Sequence, residues 1–370
     1  MRQNINKKVK LVCLYQVVMH YRLPFYNKIS QDPDIDFVLI HGNGNKKGKL
    51  VNANLDKALF KRIQLNDYRI PMPFSPLLMF HLIKESPDIV FTEGSSSLIN
   101  SSIAFIYSKL FNKKFIWWSL GKLKNKQYTG FRKLINKWER YIELHSNAIF
   151  TYSTQGKEYF LSRGVDRSKI YVAVNVFDTN SKLLEVVKYN LKGYLNGKYF
   201  NIGFIGSIEK SKNLELLIDS VSILNSKYNN IKLHIIGDGV HLENLKQYSE
   251  NNPAVIYYGR INEGASKILS NCDLFVLPGL GGLAICEAML NSLPIITGNA
   301  DGTEYDLVDE ENGFIIENMD IDNLCEKIEF LYLNPDIVKK MKLKSFERIT
   351  NDLSFEKYYS VFKTMIEKVK

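Results

Sequence analysis

The stretch DLFVLPGLGGLAICEAM, residues 273–289, joins three kinds of sequence end to end. Leu274 to Leu277 form a short apolar run that reads as a buried strand. Gly279, Gly281 and Gly282 follow, and a helix is expected from about Leu283, with Glu287 about one turn in. A turn needs one glycine; several in a row imply that something approaches the backbone closely. Backbone N–H groups freed in this way point at an anion, and the helix adds its positive end. A carboxylate one turn into that helix repels phosphate but accepts two hydroxyl hydrogen bonds well. A ribose diol beside phosphates satisfies both features. Glu287 as a mere helix-dipole residue leaves the glycines without a reason.

The same strand–loop–helix rhythm runs along the chain. Apolar runs VKLVCLY, IDFVLIH, DIVFTEG, KFIWWSL, NAIFTYS and KIYVAV occupy the first half. FNIGFIG, IKLHIIG, AVIYYG, DLFVLP, LPIITG and GFII occupy the second. Continuous apolar strands separated by helices predict buried parallel sheets. A chain of 370 residues is too long for one ordinary core. Two doubly wound α/β domains are therefore expected. Their junction falls between Asn175 and Tyr199, a polar stretch without a clear strand. The expected domains are residues 1–178 and 179–353. Residues 354–370 form a terminal helix, with Ser354 as its cap, expected to pack back toward the first domain.

Residues 1–180 hold 28 Lys and Arg against 13 Asp and Glu, a net of +15; the remainder nets −5. A basic half suggests nucleic acid or an anionic membrane surface. No nucleic-acid motif is present, so the membrane reading is preferred. The sequence contains no run of about 18 uncharged apolar residues. The basic N-terminus leads into a first strand rather than a signal peptide. Cys13, Cys272, Cys286 and Cys325 lack paired spacing and read as free, mostly buried thiols in a reducing cytoplasm.

Other strand ends also carry polar groups. GFIGSIEKSKN (203–213) offers Gly206 for a tight exit and Lys212 near a helix start, a phosphate-like pair or simply a solvated lysine. Gly237 and Gly239 flank Asp238, either around a base edge or around a plain turn. In the first half, His20, Tyr21 and Arg22, then Glu93, Gly94 and Ser95 to Ser97, then Trp118, Gly121 and Lys122 follow three strands and can line one cleft, or cap and pack. The six histidines show no ligand spacing, and the DPDID (32–36) and DID (320–322) stretches read as turns or caps rather than metal sites.

The motifs GFIGSIEKSKN, LHIIGDGVHLENL, YYGRINEGASKILSNCDLFVLPG, GLAICEAM and GTEYDLVDEENGFII occur in an order and spacing similar to glycosyltransferase family 4. The resemblance is strong over about residues 145–350, including YSTQGKEYFLSRGVDRSKIYVAVNVFD, and looser before. HYRLPFY, TEGSSSLINS and WWSLGK resemble members acting in surface-polysaccharide assembly. The resemblance implies the GT-B architecture, two facing Rossmann-like domains with a cleft between them. It implies a retaining, metal-independent transferase using a nucleotide-diphosphate sugar as substrate, a UDP-sugar being favoured, with no cofactor.

By the same resemblance Lys212 matches the lysine that holds the donor diphosphate, while Ser207 stands where that family usually has an arginine. Glu287 matches the second of two glutamates separated by seven residues, a ribose ligand; the first position is Gly279. Backbone around Gly281, Gly282 and Leu283 then takes more of the sugar-binding role. The expected donor side comprises Gly206, Ser207, Lys212, Gly237, Tyr258, Arg260, Gly279, Gly281, Gly282, Leu283, Ala284 and Glu287. The expected acceptor side comprises His20, Arg22, Glu93, Gly94, Trp118, Gly121 and Lys122, with Lys212, Glu93 and Arg22 as catalytic groups. The acceptor is expected to be a glycan, in particular a polyprenyl-diphosphate-linked one, presented at the inner face of the cytoplasmic membrane, where the basic half docks peripherally. A nucleotide-sugar epimerase of the same architecture, or a non-catalytic sugar-nucleotide binder, are the rival readings.

Overall fold

Each apolar run quoted above forms a strand. The computed structural model describes residues 8–44, 52–69, 73–121, 130–190 and 198–370. They divide into unit 1, Met1–Ala173 with Tyr358–Lys370, and unit 2, Val174–Lys357.

Unit 1 contains β1 (Val9–Tyr15), β2 (Ile35–His41), β3 (Lys61–Gln64), a small antiparallel ribbon of β4 (Tyr68–Arg69) and β5 (Pro73–Phe74), then β6 (Ile89–Glu93), β7 (Lys114–Trp118), β8 (Ala148–Thr151) and β9 (Ile170–Val172). Its seven-stranded sheet runs β3-β2-β1-β6-β7-β8-β9, parallel throughout. The chain winds outward from β1 in one direction and then from β6 in the other, so the order reverses between β1 and β6. Helices Leu78–Glu85, Leu98–Leu110, Phe131–His145 and Thr154–Ser162 supply Leu82, Phe105, Ile142 and Phe160 to the core on one face. On the other face Phe25, Phe91 and Phe150 meet Phe362 of the helix Phe355–Val369, with ring centroids 5.1, 5.7 and 6.1 Å away. Phe362 is fully buried. Lys363 fixes the same helix to Asp32 at 2.6 Å and Asp34 at 2.9 Å, and the Tyr359 hydroxyl donates to Asp32.

Unit 2 contains β10 (Phe200–Ile205), β11 (Ile231–Ile236), β12 (Val255–Gly259), β13 (Leu274–Leu277), β14 (Ile295–Gly298) and β15 (Gly313–Ile316), in the parallel order β12-β11-β10-β13-β14-β15. Here the order reverses between β10 and β13. The polar stretch after Asn175 holds a helix, Thr179–Asn190, whose Thr179 hydroxyl oxygen accepts from Phe355 N at 3.1 Å. Asp320 caps the helix Ile321–Leu333 by accepting from Asn323 N, and Ser354 accepts from Lys357 N. All four cysteines are free, three of them buried.

Candidate functional site

In a parallel sheet the crevice opens beyond the carboxyl ends of the strands where the order reverses. In unit 2 that puts the loops after β10 and β13 side by side. Pro278–Gly282 leads into the helix Leu283–Leu290, and Lys210–Lys212 forms a single 3-10 turn ahead of the helix Leu214–Tyr228. The two loops are bonded together. Leu280 N donates to Ser211 O at 3.2 Å, and Lys212 Nζ donates to Leu280 O. A Cβ added at Gly279 would stand 2.7 Å from Lys212 Cα, and one at Gly281 would stand 2.8 Å from Lys212 Nζ. One at Gly282 would press on the Thr303 hydroxyl. Gly281 also takes φ +141°, a region that L side chains rarely adopt. The close approach these glycines permit is therefore first to the chain itself. Lys212 is half-buried, and burial lowers the pKa of its ammonium against the opposing pull of Glu209 and Asp301.

Gly206, Gly237 and Gly259 form a second seam. Gly206 N donates to Ile236 O at 3.0 Å, and Gly237 N to Gly259 O at 2.8 Å. A Cβ at Gly237 would overlap Gly206 O. Ser207 is exposed beside this seam. The Tyr258 hydroxyl meets His234 Nδ1 at 2.9 Å, and His234 Nε2 meets Asn201 Oδ1 at 2.9 Å. An amide oxygen only accepts, so Nε2 carries the proton and the tyrosine donates to Nδ1. Burial, helped by Lys232, pushes the His234 pKa down to about 4. Arg260 is exposed, with Nε donating to Asn262.

Glu287 projects from the helix Leu283–Leu290 one turn beyond the glycines, with Leu283 and Ala284 half-buried between. Lys182 of the helix Thr179–Asn190 holds Glu287 at 3.4 Å and Glu185 at 3.1 Å. Burial raises the Glu287 pKa while Lys182 pulls it back. Glu304, almost fully buried, accepts from the N–H groups of Ala300, Asp301 and Gly302 and so shapes the loop after β14.

In unit 1 the order reverses between β1 and β6, and Glu93 ends β6 there. Its carboxylate accepts from Gln16 N at 3.2 Å and Ser96 Oγ at 2.7 Å. Burial pushes its pKa up against those two bonds. Gly94 N donates to Trp118 O, and Gly121, at φ +87°, donates to Ser119 Oγ. Arg22 and Trp118 lie beneath the surface. The guanidinium sits 4.7 Å over the Trp118 ring and donates to the Tyr358 hydroxyl at 3.0 Å, and Trp118 stacks on Phe91. Among the described residues Arg22 Nε meets no acceptor. His20 is exposed beside the Tyr21 ring. Lys122 lies outside the described residues.

The model of the glycosyl transferases group 1 family matches residues 191–348. The match covers less than half of the chain and lies within unit 2. Capsular polysaccharide biosynthesis glycosyltransferase CapM of Staphylococcus aureus is 31% identical over 182 residues, 46% of this chain and 47% of that one. The UDP-Gal:alpha-D-GlcNAc-diphosphoundecaprenol alpha-1,3-galactosyltransferase of Escherichia coli is 28% identical over 177 residues, 45% of this chain and 43% of its own. The chain thus spans about half the length of these curated relatives. HepE of Anabaena, crystallised with UDP, superposes with a TM-score of 0.74 at 14% identity, covering 97% of this chain and 98% of that chain. At that identity the likeness speaks for the fold, and the expected GT-B class, with its two parallel Rossmann-like sheets, is borne out.

Lys182 and Glu185 belong to none of the motifs quoted above, and Glu304 lies within one of them, GTEYDLVDEENGFII, without being singled out there. Glu304 carries a signal in retrospect, an acidic residue opening a helix after Gly302 and Thr303. Lys182 and Glu185 read as an ordinary pair three residues apart, because their further partners, Glu287 and Gly264, lie far along the chain. Among the described residues, no three or more His, Cys, Asp or Glu side chains gather as a metal site would.

Proposed function

We propose that the chain is a retaining glycosyltransferase. It moves a hexosyl or N-acetylhexosaminyl group from a nucleotide-diphosphate sugar, a UDP-sugar for preference, to a hydroxyl of a glycan or polyprenyl-diphosphate-linked acceptor in polysaccharide biosynthesis. The observation that carries this reading is the bonding of the glycine loop to Lys212 at the strand-order reversal of unit 2, with Glu287 one turn further on. Lys212, the N–H groups near Gly282 and the helix start stabilise the charge that develops on the departing diphosphate. They take the load that a divalent ion carries elsewhere. Glu287 accepts the ribose hydroxyls. The bond from the anomeric carbon to the diphosphate oxygen breaks with its electron pair. The acceptor hydroxyl attacks from the same face, and its proton leaves with the diphosphate. Glu93, at the strand-order reversal of unit 1, serves the acceptor; Arg22, buried between Trp118 and Tyr358, holds those rings and does not meet it.

Calorimetric titration with UDP tests the site. Glu287→Gln loses charge-assisted bonds of about 1.5–3 kcal/mol each, so UDP is expected to bind about tenfold to a hundredfold more weakly. Transfer should persist in EDTA. Unchanged UDP affinity in Glu287→Gln removes the ribose assignment. A free epimerised nucleotide sugar formed without acceptor favours the epimerase instead.

The acceptor's presentation at a membrane draws support from the helix Phe131–His145. Glu139 and Glu143 turn inward with Ile142, and Glu143 pairs with Arg163. Leu134, Trp138 and Tyr141 face solvent together with Lys133, Lys137 and Arg140. The adjoining helix Leu98–Leu110 adds exposed Ile106 and Leu110, and Phe105 links the two helices by ring contacts to Trp138 and Tyr141. Exposed apolar groups among cations suit an anionic leaflet, where each cation contributes about 1 kcal/mol. Lys46, Lys47, Lys49, Lys124 and Lys126, counted in the same basic half, lie outside the described residues. No described helix is long and apolar enough to cross a membrane. The protein is expected to sediment with phosphatidylglycerol vesicles at low salt and to be released at high salt. Lys133→Glu with Lys137→Glu should abolish this. Equal partition onto neutral and anionic vesicles, or onto neither, favours a soluble acceptor.

A further inference from the structure

We infer that Lys182 and Glu185 are positioning residues for the nucleoside half of the donor, and that the helix Thr179–Asn190 ties the ribose grip to the loop after β12. This inference rests on the reading of Glu287 as a ribose ligand. Lys182 Nζ spans two carboxylates, Glu287 Oε1 at 3.4 Å and Glu185 Oε2 at 3.1 Å. The other oxygen of Glu185 accepts from Gly264 N at 2.7 Å. Gly264 takes φ +86° and closes the loop that begins at Gly259 and Arg260, the segment expected near the base. One short run of charges therefore reaches both a hydroxyl-binding carboxylate and the base-side loop.

An ammonium beside Glu287 does two things. It aims the carboxylate, and it keeps it ionised in a site that burial makes unfavourable for charge. Lys182 and Glu185 are the charged groups acting on Glu287, and Lys182 is raised in turn by Glu287 and Glu185 against burial. Asp301, from the loop after β14, acts instead on Lys212 and Cys286. Removing Lys182 lets the Glu287 pKa rise further. A ribose needs the carboxylate as acceptor, so affinity falls as pH drops through that pKa, and the fall begins at a higher pH without Lys182.

The test is calorimetric binding of UDP and of inorganic diphosphate from about pH 5 to pH 8, on the alkaline side of the ordinary carboxyl range. It compares the wild type, Lys182→Met, Lys182→Arg and Glu185→Gln. Lys182→Met is expected to bind UDP about tenfold more weakly at neutral pH, with the deficit widening toward acid. Lys182→Arg should recover most of the affinity. Glu185→Gln should weaken UDP through the loop at Gly264. Inorganic diphosphate has no ribose, so its affinity should be the same in all four proteins, an outcome that general misfolding would not give. Wild-type UDP binding with a Lys182→Met isotherm identical at every pH overturns the coupling alone. A wild type that binds diphosphate but not UDP overturns the ribose reading and the coupling with it. A parallel loss of diphosphate and UDP binding in Lys182→Met also overturns the coupling, since the role would then be structural.

Discussion

Lys212→Ala should lower kcat about a hundredfold to a thousandfold, some 2.7–4 kcal/mol of transition-state stabilisation. The expectation follows from how little else can do this work. On the proposed reading, the resemblance to glycosyltransferase family 4 implies an arginine where this chain has Ser207, which leaves Lys212 as the one matched cation on the diphosphate side. In the free protein its ammonium already donates to Leu280 O, which aims it along the glycine loop before any donor arrives. A pre-aimed cation costs no reorganisation when the leaving group departs. Burial lowers its pKa, so the charge it supplies is present at low pH and lost, as pH rises, earlier than that of an exposed lysine. The basic limb of the pH–rate profile should accordingly move upward in Lys212→Arg, whose guanidinium stays charged. Steady-state transfer assays with saturating donor read the effect. Retention of turnover within about threefold in Lys212→Ala would remove the lysine from the chemistry, since that is far below what losing one such donor costs elsewhere.

The second large effect concerns Gly279, where the resemblance to glycosyltransferase family 4 implies a glutamate. Gly279→Glu ought to restore the pattern, yet it is expected to break the loop. A Cβ there would stand 2.7 Å from Lys212 Cα and closer still to Ser211 O. These are backbone atoms, which cannot swing aside as a side chain tip can. Overpacking of this kind typically costs 1–3 kcal/mol and occasionally more, and a clash with main chain belongs at the top of that range, about 3 kcal/mol. For a unit of this size that corresponds to about 6–12 °C in melting temperature. It would also part the Leu280–Ser211 hydrogen bond that registers Lys212 against the glycines. Thermal unfolding and UDP titration of the variant check both consequences. Near-wild-type melting with retained UDP affinity would mean that the loop has room for the glutamate after all. The absent carboxylate is thus tied to the path of the loop, which runs closer to Lys212 than a side chain at 279 allows.

Much of the fold is legible because parallel strands buried on both faces must be apolar throughout. Runs such as LFVL at 274–277 and IVFTE at 89–93 leave little choice. β3 escapes that logic. Its sequence, KRIQ, lies at a sheet edge with little of it covered, where charge guards against further pairing. The helix Thr179–Asn190 escapes because a polar stretch between two domains reads equally as linker. The proposed site is legible where a local pattern carries it, as with the glycines, Lys212 and Glu287. It was not legible where a role depends on a partner across the sequence. Lys182 meets Glu287 from 105 residues away. The glycines also show a limit of pattern reading. Close approach was correctly inferred, but the nearest object is backbone of Ser211 and Lys212. Arg22 and Trp118 follow strands in the same way as Glu93, and nothing local tells that they lie under other side chains.

From Tyr358 on, the helix that carries Phe362 belongs to unit 1, although all of unit 2 precedes Tyr358 in the chain. On the ribosome this inverts the usual order. Synthesis at about 5–20 residues per second normally lets the amino-terminal domain fold first. Here Phe25, Phe91 and Phe150 lack the helix that covers them until residues 358–370 emerge, by which time unit 2 has its full sequence. The first-made sheet is then the last to close. At that rate the intervening residues take on the order of ten seconds or more to translate, an interval in which the aromatic face has no helix over it.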